Sequence, residues 1–219
     1  MFQKLTRIHR GERGITGLET AIILIAFVVV AAVFAYTALS AGLFSTQKSS
    51  EAVYAGLKEA QSTLELRGSV IATANTTGAS GTIKQITFTL SNVLHGEAID
   101  FTEPLGTDNN GLAYATSTNV VVISYIDAYQ KVDDLYWTAT PLGKDDADDL
   151  LEDNEKFQIT VGGDTAGASG GNLIDALSTS THYLGPNTKF SLEVRPPIGA
   201  VLVIERTTPP RIDSVMNLR

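Results

Sequence analysis

The sequence predicts an α+β protein in which one long hydrophobic α-helix is followed by an antiparallel β-sandwich or β-barrel. Two observations predict this architecture. The 28 residues between Glu19 and Lys48 contain no Asp, Glu, Lys, Arg or His and are dominated by Ala, Ile, Leu, Val and Phe. From residue 83 onward, short apolar segments alternate with Thr and Ser and are separated by turns rich in Gly, Asn and Asp, which is the pattern of half-buried strands.

The amino end of the chain is basic and the remainder is acidic. The first 14 residues carry a net charge of +3, from Lys4, Arg7, Arg10 and Arg13 against Glu12. Because the whole chain carries −8, the remaining residues carry −11. Positive charge on the short amino-terminal side of an apolar segment favours a cytoplasmic amino end, with the acidic part facing outward. The acidic part disfavours nucleic acid as a partner and suits a solvated, exported surface.

The apolar stretch predicts a helix that can span a membrane. Residues 21–44 alone would extend roughly 36 Å at about 1.5 Å per residue, against a bilayer core of about 30 Å. A secretory signal cleaved within residues 35–42 is the alternative, because that segment offers small residues. Beyond Lys48 the apolar residues keep a helical spacing, so the helix is predicted to continue. The predicted helix covers residues 15–72, and residues 73–82 are predicted to be a linker. The residues that carry this spacing are Val53, Leu57, Ala60, Leu64 and Ile71.

The β-rich outer domain is predicted to cover residues 83–219. About seven or eight short segments read as strands, among them residues 86–91, 119–126, 134–139, 157–161, 190–194 and 200–205. Strands of this length and spacing, with turn residues between them, are typical of an antiparallel sandwich or barrel.

An acidic run at residues 144–155 raises the question of a calcium site. Clustered carboxylates can converge on a hard cation, and the candidate ligands are Asp145, Asp146, Asp148 and Asp149. The EF-hand spacing fails, however, because a loop starting at Asp146 would place Leu150 at an oxygen-ligand position and Leu151 where glycine is required. We therefore expect a solvated loop, with no cofactor and no resident metal.

Asn75 begins the single N-x-[ST] sequon of the chain, Asn75-Thr76-Thr77. An exported protein with a sequon in a small-residue segment is a candidate for N-glycosylation. Asn75 is therefore the predicted glycosylation site.

Metalloprotease and nucleotide-binding motifs are missing from the sequence. The chain has no Cys, and it contains no H-E-x-x-H or G-x-x-x-x-G-K-[ST] motif. We therefore predict that the protein is not an enzyme and has no catalytic residues.

Three features together resemble the archaellins, the archaeal flagellin family of the type IV pilin-like superfamily. They are the basic leader ending at Gly14, the segment ITGLETAIILIAFVVVAAVFAY after it, and EVRPPIGAVLVIERTTPPRI at residues 193–212. The resemblance implies that residues 1–14 are a class III signal peptide, which a membrane prearchaellin peptidase removes by cutting between Gly14 and Ile15. A glycine there would let the protease approach an extended backbone with no side chain in the way.

The resemblance also implies a function. The mature chain would polymerise with itself through its helix, around Glu19, Ile22, Ile25, Val29 and Val33, to form the extracellular archaellum filament used for swimming. The precursor would reside in the cytoplasmic membrane until a membrane assembly platform and its ATPase transfer it to the filament. Glu19 would be the fifth mature residue, where it would pair with the new ammonium of Ile15 or simply interact with the helix dipole.

One departure from the family leaves alternatives open. Many archaellins carry a Gly-Ile-Gly-Thr type segment where this chain has TGLET, and Glu19 is similar to the acid of bacterial type IV pilins. The alternatives are an archaeal adhesive type IV pilin and a single-pass membrane-anchored extracellular binding domain.

Overall fold

The computed structural model describes residues 13–93, 98–106, 108–144, 146–163, 170–177 and 182–218, with side chains in the first helix from residue 17 to residue 60. The predicted leader lies outside these residues, apart from Arg13 and Gly14. The chain divides into two compact units, the first ending at Tyr54 and the second beginning at Ala55. The described part of the first unit is helical, and the second unit holds the end of that helix and all the described strands.

Helix α1 extends over Arg13–Gln61 and accounts for 49 residues. A segment this rich in Ala, Leu and Ile, with no Pro, has no residue that would break the helix. Hydroxyl groups within it are bonded inside the helix, because Thr20, Thr37 and Thr46 each donate to the carbonyl oxygen three residues earlier, at 2.9–3.0 Å. Within the described part of the chain, α1 is the one helix long and apolar enough to cross a membrane.

The prediction that this helix continues to residue 72 is wrong, and so is the linker predicted at residues 73–82. Helix α1 ends at Gln61, and strand β1 occupies Leu64–Thr76. Leu64 and Ile71 fit a helical period, but Leu64, Val70 and Ala72 are buried because they share one face of a strand. Gly68, at φ +81°, lies where the pairing of β1 with β2 shifts register, so a glycine bulge interrupts the alternation that would otherwise have identified the strand.

The outer domain therefore begins with β1 rather than at residue 83, and it is built from eleven described strands and one short helix. After β1 the elements are β2 (Thr82–Asn92), β3 (Ile99–Asp100), β4 (Val122–Asp127), β5 (Lys131–Val132), β6 (Trp137–Pro141), β7 (Leu150–Leu151), β8 (Phe157–Val161), α2 (Leu173–Leu177), β9 (Lys189–Arg195), β10 (Leu202–Thr207) and β11 (Val215–Leu218).

The strands form two larger sheets and one small ladder, and every recorded pairing between them is antiparallel. One sheet has the order β11-β1-β2-β8-β6, the other has the order β10-β9-β4-β5, and β3 pairs with β7. Strand β2 lies at the centre of the larger sheet, with Phe88 opposite Ile159 of β8. The predicted fold class, a long hydrophobic helix followed by antiparallel β-structure, is confirmed.

Both larger sheets contribute side chains to a single buried core. Its aromatic centre is Phe101, whose ring meets Trp137 at 5.9 Å and Phe157 at 5.8 Å, both edge to face. Tyr125 of β4 and Phe190 of β9 stack at 5.8 Å. Edge-to-face and offset arrangements are the favourable ones for aromatic pairs, so the outer domain has a specific and well-packed interior.

Candidate functional site

The surface of α1 is a long, exposed and mainly apolar feature of the described chain. Every described side chain of the helix from residue 17 to residue 60 is exposed. The four apolar residues predicted to act in assembly are between 56% and 63% exposed, and they are Ile22, Ile25, Val29 and Val33. Their spacing of three, four and four residues places them on one face of a helix with 3.6 residues per turn.

Exposure alone does not distinguish this face from the others. Phe27 and Phe34 are each 70% exposed, and Leu24 and Val28 are exposed to a similar degree. Between Glu19 and Lys48 the helix carries no charge on any face, a composition that normally occurs only where every face of a helix is covered. The assembly role of these four residues therefore stays a prediction, because they are part of a larger exposed apolar surface.

Glu19 stands near the start of this surface and is itself exposed. It is three residues before Ile22 and so belongs to the same face. It lies four residues after Ile15, whose backbone is part of the first turn of α1. The nitrogen of Ile15 and the Glu19 side chain are thus about one helical turn apart along the chain.

Gly14 is also within α1, so the predicted cleavage site lies in helical rather than extended backbone. That a protease meets an extended backbone at Gly14 stays a prediction, and it requires the first turn of α1 to unwind. Glycine is among the weakest helix-forming residues, at about 1 kcal/mol less favourable than alanine. Unwinding the first turn for a protease therefore requires little free energy at this position.

The junction between α1 and β1 was not predicted from the sequence. Ser62 is 3% exposed, and its amide donates to the carbonyl of Lys58 at 3.1 Å, which closes the last turn of α1. Gly199, at φ +103°, packs against the Ser62 backbone so closely that a Cβ there would overlap the Ser62 carbonyl oxygen and lie 2.7 Å from the carbonyl carbon. Pro196-Pro197-Ile198-Gly199 was the available signal, since a glycine after two prolines commonly marks a backbone constraint.

Asn75 is exposed and lies next to the last residue of β1. Thr76 holds the turn that follows, because its hydroxyl oxygen accepts a bond from the Thr82 amide at 3.0 Å and lies 3.0 Å from the Thr82 hydroxyl. Gly78 and Ile212 bond each other through their backbones at 2.8 and 3.0 Å. The sequon therefore sits at the accessible end of an ordered hairpin, and its glycosylation stays a prediction.

The described part of the acidic run is mostly exposed, but it also contains strand β7 and the buried Glu155, so the expectation of a solvated loop holds for only part of it. Asp145 lies outside the described residues, and the other three candidate ligands, Asp146, Asp148 and Asp149, are exposed. Among the residues that the structure describes, no group of three or more His, Cys, Asp or Glu side chains has an arrangement that could hold a metal. The negative charge of Asp146, followed by burial and the charges of Glu155 and Asp148, raises the pKa of Glu152.

Comparison with known proteins gives a consistent result along nearly the whole chain. The family described as archaeal-type flagellin matches residues 14–206. A protein named probable flagellin 1 from Archaeoglobus fulgidus is 40% identical over 217 residues, which cover 97% of this chain and 98% of that protein. A protein named probable flagellin 1 from Aeropyrum pernix is 35% identical, with 91% of this chain and 94% of that protein covered.

A solved structure is similar in three dimensions as well. It is the archaeal flagellum of Methanospirillum hungatei, whose subunit is 29% identical to this chain, with a TM-score of 0.58. The match covers 92% of this chain and 98% of that subunit. Both the apolar helix and the β-rich domain therefore have counterparts in a chain solved as part of a filament.

Proposed function

The chain belongs to the archaeal-type flagellin family, and from this premise we propose that it is made as a membrane-resident precursor and polymerises through α1 into an extracellular archaellum filament. As a flagellin it is a structural subunit. The observation that carries the mechanism is the complete exposure of an apolar helix.

Self-association is the simplest way to cover that helix. Full burial of a Val, Ile or Phe side chain is worth about 1.5–3 kcal/mol relative to water, so the four residues of the predicted face would contribute on the order of 6–12 kcal/mol. Because the remaining faces of α1 are apolar too, one partner cannot cover the helix. Several sister helices around each copy can, and a head-to-tail relation that does not close produces a filament.

Before assembly, lipid would cover the same surface. The helix is long enough to cross a bilayer, and its Thr37 and Thr46 hydroxyls are already bonded to backbone carbonyls. Neither hydroxyl needs a partner from the surroundings, which lowers the cost of placing it in hydrocarbon. The basic leader would hold the amino end at the cytoplasmic side.

Release from the membrane would begin with cleavage between Gly14 and Ile15 by the prearchaellin peptidase. Cleavage removes the positive charges that anchor the amino end and creates a new ammonium at Ile15. Glu19 would then pair with that ammonium in its own or a neighbouring chain, because a carboxylate inside an apolar bundle is costly unless it is paired. This pairing would fix the axial position of each helix as it enters the filament.

Extraction from lipid would depend on other proteins. The chain has no phosphate-binding motif of the G-x-x-x-x-G-K-[ST] type, so a platform protein and its ATPase would supply the energy. We infer that the flagellin itself catalyses no reaction and needs no cofactor. The family match favours the archaellum over an adhesive pilin or an anchored binding domain, since relatives along the whole length are named flagellins.

Amino-terminal sequencing of filaments sheared from cells tests this proposal. We expect the filament subunit to start at Ile15, and we expect cells lacking the gene to lose swimming while keeping surface attachment. Replacing Gly14 with a bulky residue should leave the full-length precursor in the membrane fraction and abolish filaments. Filaments whose subunits still carry the leader would contradict the cleavage, and a loss of attachment with normal swimming would favour the pilin. Intact-mass analysis of the same filaments would reveal whether Asn75 carries a glycan.

A further inference from the structure

We propose that the outer domain carries a binding site for a neutral saccharide, in a cleft lined by aromatic side chains. This site goes beyond filament formation, which depends on α1. The cleft, here called the tyrosine cleft, has a volume of about 310 Å³ and opens to solvent. Its walls are the turn after β4, the segment before β9, and the turn between β1 and β2. The lining includes Asp127, Tyr129, His182, Tyr183, Gly185 and Thr82.

Exposed aromatic rings are the first reason for this assignment. Tyr129 is 72% exposed and Tyr183 is 43% exposed. The ring of His182 stacks on Tyr129 at 4.6 Å with an interplanar angle of 17°. Large aromatic side chains that are exposed do not stabilise the core, and such side chains are enriched where a surface makes contacts. A flat ring face with a polar rim suits a sugar ring, which has apolar C–H faces and hydroxyl groups around its edge.

The loop that carries Tyr129 is held in one conformation. One oxygen of Asp127 accepts bonds from the amides of Tyr129 and Gln130, at 2.7 and 2.9 Å. The other oxygen accepts the hydroxyl of Tyr125 at 2.9 Å, which ties the loop to the core. The Gln130 side chain donates to the carbonyl of His182 at 2.6 Å and so joins two walls of the cleft. A surface platform with its conformation already fixed loses little entropy when a ligand binds.

The opposite wall is fixed in the same way. The Thr208 hydroxyl donates to the carbonyl of Gly185 at 2.6 Å and accepts a bond from the Thr188 amide at 2.8 Å. The amide of Ile83, at the start of β2, donates to the carbonyl of Leu184 at 3.0 Å. The cleft is therefore assembled from three chain segments that are bonded to one another, and it does not depend on a single flexible loop.

The chemistry of the lining selects a neutral, hydroxyl-rich ligand. Gly81, Thr82 and Tyr183 line the cleft. Their backbone carbonyl oxygens, and the oxygen of the Thr82 hydroxyl, are the groups that would accept bonds from sugar hydroxyl groups. None of the described lining residues is Lys or Arg, and Asp127 is acidic, so a phosphate or carboxylate ligand is disfavoured. The volume is at the small end for ligand sites and suits one or two sugar rings.

Saturation-transfer NMR on the full mature chain tests this site. The protein would be held in a sugar-free detergent and made in a host without N-glycosylation, so that Asn75 is bare. The probes are methyl glycosides of glucose, galactose and N-acetylglucosamine, with tetramethylammonium and inorganic phosphate measured separately. We expect saturation transfer to at least one glycoside. Tyr129→Ala should weaken its binding about 3- to 10-fold, the range that loss of one aromatic contact implies.

Three further variants separate the tyrosine cleft from nonspecific binding. Tyr129→Phe keeps the ring and should keep most of the binding, whereas Tyr114→Ala removes an exposed tyrosine outside the cleft and should change nothing. Gly185→Ala meets only ordinary contacts and should fold normally while narrowing the cleft and weakening binding. Far-ultraviolet circular dichroism checks the fold of each. The proposal is overturned if no glycoside binds the wild-type chain, if Tyr129→Ala binds as well as wild type, or if tetramethylammonium or phosphate binds in the cleft and glycosides do not.

Discussion

Replacing Gly199 with alanine should destabilise the outer domain through the junction that connects α1 to β1. Two effects combine at this position. Gly199 has φ +103°, where a residue with a side chain is strained, and such strain costs on the order of 1–3 kcal/mol. In addition, the new Cβ would overlap the carbonyl oxygen of Ser62, so the backbone of Ser62 or of the 196–199 loop must move.

The magnitude can be divided between these two effects with a matched control. Gly143 has a similar φ of +90° but nothing within 4 Å of the position that a Cβ would take. Gly143→Ala therefore carries the backbone strain without the overlap, and we expect it to lower the free energy of unfolding by about 1–2 kcal/mol. Gly199→Ala should lower it by about 3 kcal/mol or more, since overpacking adds roughly 1–3 kcal/mol.

Thermal unfolding of the mature chain in detergent measures the difference. For an outer domain of this size, about 1 kcal/mol corresponds to a shift of roughly 2–4 °C in the unfolding temperature. Gly199→Ala should thus unfold several degrees below Gly143→Ala under identical conditions. Equal unfolding temperatures for the two variants would refute the argument, because they would mean that the Ser62 junction yields freely to the added methyl group.

Three further predictions concern the core, acid and assembly. Phe101→Ala removes the ring that joins Trp137 to Phe157 and should lower stability by about 3–5 kcal/mol in urea unfolding, whereas a loss under 1 kcal/mol would show that this cluster is loosely packed. Burial alone would raise the pKa of Asp127, but bonds from Tyr129, Tyr125 and Gln130 outweigh it and place the pKa below its usual 3.8. The stabilisation of the loop by ionised Asp127 is therefore present above about pH 4 and is lost as the pH falls through the lower pKa of the folded protein. Hydrogen exchange of the Tyr129 and Gln130 amides should accelerate only in that acidic range. Equal acceleration in Asp127→Asn would contradict this. Glu19→Ala should leave leader cleavage intact but slow filament incorporation, and normal incorporation would show that the carboxylate does not align the helices.

The sequence predicts the elements of this fold where one periodicity is unambiguous. Strand β8 occupies Phe157–Val161, the five residues predicted for it, because Phe157, Ile159 and Val161 alternate without interruption. Most of α1 was predicted because 28 residues without charge leave few alternatives. The end of α1 was not, since Leu64 and Ile71 fit both a helix and a strand, and the bulge at Gly68 hides the alternation.

Candidate sites were predictable only where the chemistry is local in sequence. The sequon at Asn75 and the apolar surface of α1 are each contained in one segment, so the sequence identifies them. The tyrosine cleft brings together Tyr129 and His182, which are 53 positions apart in the chain. The sequence around either residue does not indicate that it contacts the other. Two-residue strands such as β3 and β7 were missed for the same reason, since they form through distant pairing rather than local pattern.

The hydroxyl groups of Thr37 and Thr46 need no hydrogen-bond acceptor from whatever surrounds the helix, because each already donates to the backbone carbonyl oxygen three residues earlier. Helix α1 can therefore exchange lipid acyl chains for neighbouring helices while these two threonines keep the same hydrogen bonds in the membrane and in the filament. At these two positions, which helices pack together must then depend on the shape of the side chains, since the ridges of one helix fit into the grooves of the next. Swapping Phe27 or Phe34 for a smaller apolar residue should accordingly alter which helices mix in one fibre more than any change at these threonines.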